Sequence, residues 1–314
     1  MPHDLSIPLG VKSDPILYRF SYPWLFRLMA EEGVHHLQIG SFFELYQLPD
    51  AFFTELRQAA QGHGVTISSL FTAHRELGGF MRCEPHWDTV TRRNYERLIQ
   101  VGALLGAPHV GSNPGAVLRD QMHLKAQGIA AWLRQMKELL HIAGGHGIAC
   151  LTIEPMSCLA EPPTLPDEIH GMAAELSAYH QAHPGTADIG YCADTSHGYA
   201  DASGTVRHTH LELFEAALPY LAELHVKNTD PLFDATFGFN EAERKKGIVD
   251  LDAVWDLLHR NAARIPRDEV IAYLELSGPK WGRDYSDRQL EDALRQSLRF
   301  VKETFARKAA EQPA

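Results

Sequence analysis

Eight times along this chain a short run rich in apolar, β-branched and aromatic residues is followed by a longer stretch whose apolar residues return every three or four positions. The runs are PILYRF (15–20), VHHLQIG (34–40), TISSLF (66–71), HVGSNP (109–114), ACLTIEP (149–155), IGYCADT (189–195), ELHVKN (223–228) and VIAYLEL (270–276). The stretches are WLFRLMAEEG, AFFTELRQAAQGHG, residues 89–105, 123–143 and 166–183, LELFEAALPYLA, LDAVWDLLHRNA, and 287–308. Strand followed by crossover helix, repeated without a linker, predicts a parallel sheet, and eight units predict a single (β/α)8 TIM barrel over residues 1–314. A doubly wound open sheet shares the alternation but usually carries a glycine-rich phosphate loop after its first strand, where this chain reads SYPWLFRLM. Gly33, Gly64, Gly106 and Gly147 stand where left-handed helix ends are wanted, and Asp50, Asp88 and Asp287 stand where N-caps are wanted.

With 45% hydrophobic and 22% charged residues the chain can bury a large core, so disorder is not expected. Its formal net charge of -11 and the absence of a basic run speak against a nucleic-acid partner. No apolar run reaches membrane-spanning length, and MPHDLSIPLGVKSD does not read as a secretory signal, so a cytoplasmic protein without a membrane partner is expected. Cys83, Cys150, Cys158 and Cys192 form no CxxC pair and read as reduced thiols.

Barrel active sites form at the carboxyl ends of strands. The last four runs each end on a residue able to hold a metal: Glu154 in LTIEPMSC, Asp194 in GYCADTSHG, His225 in ELHVKNTD and Glu275 in AYLELSGP. Any one alone reads equally well as a cap or an ion-pair partner, and the combination on four successive strands carries the signal. Three carboxylates and one imidazole suit Mn²⁺ first, with Mg²⁺ or Co²⁺ as alternatives, better than a structural zinc. Four protein ligands leave two octahedral positions for a chelating substrate. His74, Arg75 and Glu76 in the loop after strand three, and Asn113 at the end of strand four, are candidates to reach the same pocket. Tyr18 and Arg19 are placed at the pocket floor by the predicted first strand, while Trp24, Phe42 and Phe43 are expected to pack core or lid.

In IEPMS, ADTSH, HVKNTD and LEL the chain resembles the xylose-isomerase-like superfamily of sugar isomerases and epimerases, an AP-endonuclease-2-like barrel that includes the ketose 3-epimerases. The resemblance covers nearly the whole barrel and implies that Glu154, Asp194, His225 and Glu275 ligate one divalent ion. It further implies that Glu154 and Glu275 are the catalytic acid and base, and that His197 contacts substrate. Two carboxylates on opposite faces are needed because inversion removes the proton α to a ketone from one side and returns it from the other. The ion would stabilise the enediolate between the two steps.

Two segments depart from the ketose 3-epimerases. Their glutamate and arginine after the metal histidine are replaced by Lys227 and Asn228 in HVKNTD, which become the substrate-contact candidates there. After strand eight, SGPKWGRDYSD brings Lys280 and Arg283 near Glu275, where they would meet a substrate phosphate or carboxylate, or else pair with Asp284 and Asp287.

The leading expectation is therefore isomerisation or epimerisation of a small ketose or ketose phosphate, with a tetrulose phosphate as the narrow guess. A metal-dependent lyase or decarboxylase acting on a 3-oxo sugar acid or 3-oxo-glycoside would pass through the same enolate. A non-catalytic metal-binding barrel is the third reading. The family's DNA-repair endonucleases use a larger zinc site on a basic face, which the acidic balance disfavours. Family habit implies a homodimer or homotetramer.

Overall fold

Strand β1 lies earlier in the chain than its apolar pattern suggests: Leu9–Lys12 forms it, and Asp14–Ile16 is a 3-10 turn. The computed structural model describes residues 5–40, 42–72, 76–278 and 284–311. Within PILYRF, Pro15 has no N–H to give to a sheet ladder and takes an early position in that turn, and Tyr18 turns the chain with a left-handed φ of 56°. Tyr18 and Arg19 therefore do not form a pocket floor. Tyr18 is 54% exposed and its hydroxyl donates to Glu44 Oε2 at 2.6 Å, while Arg19 Nη1 lies 2.8 Å from Asp287 Oδ2. The short LGVK run offers too few residues to display a period of two, and so escapes a pattern search.

The other seven strands fall within or close to the predicted runs. They are β2 His36–Ile39, β3 Thr66–Thr72, β4 His109–Ser112, β5 Cys150–Ile153, β6 Asp188–Asp194, β7 Leu221–Val226 and β8 Ile271–Leu274. The helices between and after them are α1 Tyr22–Glu31, α2 Asp50–Gly62, α3 Pro85–Leu105, α4 Lys125–Gly145, α5 Pro166–Ala182, α6 His210–Ala217, α7 Leu251–Arg260 and α8 Asp284–Glu311. All eight strands are parallel and close in the order 1-8-7-6-5-4-3-2, with β1 pairing β8 through Gly10↔Tyr273. This is a (β/α)8 TIM barrel.

Helix α6 is shorter than its apolar periodicity. Pro219 interrupts it, Leu218–Tyr220 tightens into a 3-10 turn, and Leu221 already belongs to β7. The predicted N-caps also move: Asp50, Asp88 and Asp287 all lie inside the first turns of their helices. An acidic side chain there still faces the positive end of the helix dipole, so the composition signal is the same. The four glycine helix ends do take positive φ, from 62° to 75°. Trp24 and Phe42 pack against the core, whereas Phe43 is 60% exposed. The cysteines are free thiols, and Cys150 and Cys192 are buried in the strands. Among the described residues no helix is long and apolar enough to cross a membrane.

Side chains alternate between the two faces of every strand, and here the faces differ in chemistry. Leu37, Ile39, Leu70, Leu151, Ile153, Leu224, Val226, Ala272 and Leu274 join the apolar core. The alternate positions carry Gln38, Ser69, Thr152, Glu223, His225 and Tyr273, all buried. Gly111 is required among them, because a Cβ there would stand 2.1 Å from Thr152 Oγ1. Instead of the layers of branched aliphatics common in such barrels, a polar column fills the interior beneath the rim.

The first and last helices are tied by Glu32, just after α1, which receives Arg299 Nη2 at 2.7 Å and Arg295 Nη1 at 2.8 Å. The hydrogen bond from Arg299 lowers the Glu32 carboxyl pKa; burial opposes this and Arg295 adds to it. Its contribution is thus fully present above the unfolded-state pKa of about 4.3 and fades as pH falls through the lower folded value. Glu32→Gln is expected to destabilise the protein by about 1 kcal/mol at pH 7, given partial solvent screening of Arg299, and by less near pH 3. Urea unfolding at the two pH values checks both the size and the sign.

Candidate metal centre

Glu154 directly follows β5, Asp194 ends β6, His225 is the penultimate residue of β7, and Glu275 directly follows β8. Parallel register does the rest: Asp194 pairs with His225, and the Glu275 N–H donates to Val226 O at 3.0 Å. One ligand-type atom from each residue lies within 4.8 Å of the others. Three of the four residues are buried, and the Glu275 side chain is 17% exposed, which sets it at the mouth.

His225 Nδ1 is 2.8 Å from Glu154 Oε1 and 3.0 Å from Glu275 Oε2. Asn113 Nδ2 donates to Glu154 Oε2 at 2.5 Å, and the Ser196 N–H donates to Asp194 Oδ1 at 2.7 Å. The remaining buried oxygens, Asp194 Oδ2 and Glu275 Oε2, are met by ionisable nitrogens and by no neutral donor among the described residues. Lys227 Nζ is 2.6 Å from Asp194 Oδ2, and Lys12 Nζ is 3.3 Å from Glu275 Oε2. Such incompletely paired carboxylates would be a poor way to hold a fold together. With the imidazole beside them, they fit the needs of a hard or borderline divalent ion.

The charges hold one another. Burial raises the Glu154 carboxyl, but the charge and hydrogen bond of His225 outweigh it, and His197 adds to the lowering. Burial likewise opposes ionisation of Glu275, and Lys12, Lys227 and His225 together hold it well below the usual carboxylate range. For His225, burial and Lys12 act against a proton while Cys192, Glu275 and Glu154 favour it, and the imidazole is held well above its ordinary value. Since burial pushes the Cys192 thiol up to about 12, that group is neutral and the two glutamates are the charges that matter. A divalent cation held here would meet ionised carboxylates and would take the place of a proton on His225.

The substrate-contact candidates separate into three groups. Asn113, His197 and Lys227 are at the cluster. His197 Nδ1 donates to Pro155 O at 2.8 Å, which turns Nε2 toward Lys227 Nζ at 3.3 Å and Asp194 Oδ2 at 3.4 Å. Asn228 is turned away: its Oδ1 accepts the Thr229 and Val249 N–H groups, both at 2.9 Å, and fastens the long loop after β7. The strand period explains the difference, since neighbours in extended chain face opposite ways. His74, Lys280 and Arg283 lie outside the described residues, as does Arg75; Glu76 is half-buried and its carbonyl accepts from Asn94.

Four residues at or beneath the centre carry no metal-ligand signature in the sequence. Lys12 reaches Glu275 from β1, Gln38 receives His225 from β2, Phe71 meets the His225 ring edge-on at 5.1 Å, and Glu223 lies below in the polar column. Gln38 has a usable signal, as a polar residue set between Leu37 and Ile39 in the predicted run VHHLQIG. Lys12 falls outside the predicted first strand and is invisible for that reason.

A family model described as a xylose isomerase-like TIM barrel matches residues 26–304. No curated protein matches the chain. Among solved structures, a candidate xylose isomerase of Rhodospirillum rubrum ATCC 11170 has a TM-score of 0.75 at 18% identity, over 95% of this chain and 99% of that one. A D-tagatose 3-epimerase-like protein has a TM-score of 0.68 at 15% identity, over 95% of this chain and 100% of that one. D-psicose 3-epimerase, solved in the presence of D-fructose, has a TM-score of 0.66 at 15% identity, over 95% and 99%. At these identities the likeness is one of fold.

Proposed function

This chain belongs to the xylose isomerase-like TIM-barrel family, and from that membership and its buried cluster we propose a divalent-metal-dependent isomerase or epimerase of small ketoses or ketose phosphates. The observation that carries the reading is the convergence of four ligand-type side chains from successive strand ends, one atom of each lying within 4.8 Å of the others. Glu154, Asp194, His225 and Glu275 would hold the ion, with Mn²⁺ the first candidate. When bound, such an ion supplies Lewis acidity to a substrate carbonyl and so acidifies the adjacent C–H.

The protein's own groups supply the proton transfers. Glu154 is held by Asn113 and His225, and Glu275 by Lys12 and Lys227, so both are ionised and fixed in direction. One removes the proton α to the ketone and releases it to solvent, while the other, protonated from solvent, delivers a proton to the opposite face for an epimer; for an isomer a proton goes to the former carbonyl carbon as the neighbouring hydroxyl proton passes to the former carbonyl oxygen. Carboxylates held this low are weak bases, but they give up an acquired proton readily, which a reversible reaction between near-equal sugars requires. Lys227 and His197 stand over Asp194 as the groups that meet a substrate hydroxyl or an anionic substituent.

Mn²⁺-loaded protein in D₂O, offered C4 to C6 ketoses, their phosphates and 3-oxo sugar acids, tests the proposal. Deuterium is expected next to the carbonyl, with formation of an epimer or aldose, and both should vanish on chelation and return with Mn²⁺. Release of CO₂ or of an aglycone would make the enzyme a lyase instead. A protein that binds Mn²⁺ and exchanges nothing across the panel would refute the catalytic reading.

A further inference from the structure

The polar column inside the barrel has a direction, set by what each group can give and accept. At its lower end Glu223 is fully buried, and its Oε1 takes the Thr152 hydroxyl at 2.6 Å and the Ser69 hydroxyl at 3.2 Å. His109 Nδ1 lies 3.4 Å from Oε2. Ser69 has a single hydroxyl proton, and once that is given to Glu223 its oxygen can only accept from the next group. That group is Gln38, whose Nε2 lies 3.2 Å away. With its amide nitrogen committed to Ser69, Gln38 presents its carbonyl oxygen upward, 2.7 Å from His225 Nε2. An amide oxygen accepts only, so His225 must carry a proton on Nε2. The lone pair it can offer is on Nδ1, the atom that faces Glu154 and Glu275.

We propose that Glu223, Ser69 and Gln38 form a positioning relay that holds the His225 ring with Nε2–H on the Gln38 carbonyl oxygen and so makes Nδ1 the nitrogen presented to a cation held at the cluster. The inference rests on the metal reading of the site for its consequence, though the order of donors stands without it. None of the three residues reaches the cluster's open side, so they act through His225. The relay joins four strands, β3 and β2 to β7 with Thr152 on β5 beside it, and its groups are all buried. A wrong tautomer of His225 would put two acceptors, Nε2 and Gln38 Oε1, against each other at 2.7 Å in a buried site.

Histidine-selective ¹⁵N NMR reads the proposal directly. In metal-free protein the Nε2 proton of His225, assigned by its disappearance in His225→Gln, is expected as a slowly exchanging signal. On addition of diamagnetic Mg²⁺ it should persist while the Nδ1 proton is lost. Gln38→Leu, close in volume but without an acceptor, should lose the protected Nε2 signal and bind Mn²⁺ about 10- to 100-fold more weakly by calorimetry. Gln38→Glu keeps the acceptor and should keep the signal; Ser69→Ala, which frees the Gln38 amide to turn, should show the Leu effect in smaller measure. Loss of the Nε2 proton with retention of that on Nδ1 when Mg²⁺ is added would overturn the relay, as would a protected Nε2 proton in Gln38→Leu. If wild-type protein bound neither ion, the metal reading would fail, and the Nε2 signal in metal-free wild type would still decide the relay with no variant but His225→Gln having to fold.

Discussion

Glu275→Gln and Glu154→Gln, each saturated with Mn²⁺, are expected to lose interconversion of a substrate by about 10³-fold, the usual effect of removing a positioned proton carrier. Their more telling effect concerns hydrogen exchange. Two carboxylates facing the reacting carbon from opposite sides divide the work by stereochemistry. The variant lacking one should still exchange the proton of the epimer that faces the other, and fail with the opposite epimer. The two variants should therefore show mirror-image preferences. Equal loss of exchange on both epimers in both variants would remove the two-base mechanism. Undiminished interconversion by either would make that glutamate a ligand or a structural group alone. Saturation matters because both residues are also assigned to the ion, and calorimetry on each variant separates weak binding from slow proton transfer.

Lys12→Met is expected to act in opposite senses on stability and on metal binding. Its ammonium is 6% exposed and lies 3.1 Å from Asp14 and 3.3 Å from Glu275, so the metal-free protein loses the cation that offsets a crowd of buried carboxylates. Breaking one side of a buried pair usually costs about 3–5 kcal/mol, and a loss of that order is expected in the presence of a chelator. A divalent ion in the same site would neutralise Glu275 from the other direction, so with saturating Mn²⁺ the loss should be smaller by about 1–3 kcal/mol. Linkage requires the difference to appear as tighter binding. Removing a neighbouring positive charge is worth about 1–3 kcal/mol at a half-buried site, which is roughly a 10- to 100-fold lower Kd for Mn²⁺. Urea unfolding with and without Mn²⁺, together with calorimetry, gives both quantities. Equal destabilisation in the two conditions would mean that Lys12 supports the fold and does not sense the site.

The contrast between Lys12 and Glu275 shows what kind of information each carries in the chain. Glu275 is legible because it ends a long apolar run after a helix, and a carboxylate in that place needs a reason. Lys12 ends a run of four residues, too short to show any period, next to a more hydrophobic segment that Pro15 excludes from the sheet. The same limit applies to Asn228. Its neighbour Lys227 and it are both polar and both within three residues of His225, yet one reaches Asp194 and the other fastens a loop. Only the pleat, with its period of two, and the closure of the loop over Val249 separate them. Gln38 and Glu223 lie within predicted strands, but a polar residue in a strand has no direction until both of its neighbours in space are known.

By itself the sequence determined the repeated strand-helix unit, the eightfold count, and the four residues at the ends of strands five to eight. These depend on local periodicity and on position relative to a strand end, both written along one stretch of chain. Tertiary structure decided which cations stand against those carboxylates, which nitrogen of His225 faces them, and which polar residues turn inward. Those facts depend on contacts between strands far apart in the chain, 187 residues from Gln38 to His225 and 263 from Lys12 to Glu275. A hydrogen bond or ion pair is set by distances of a few ångströms between atoms from separate strands, and barrel closure is what fixes those distances.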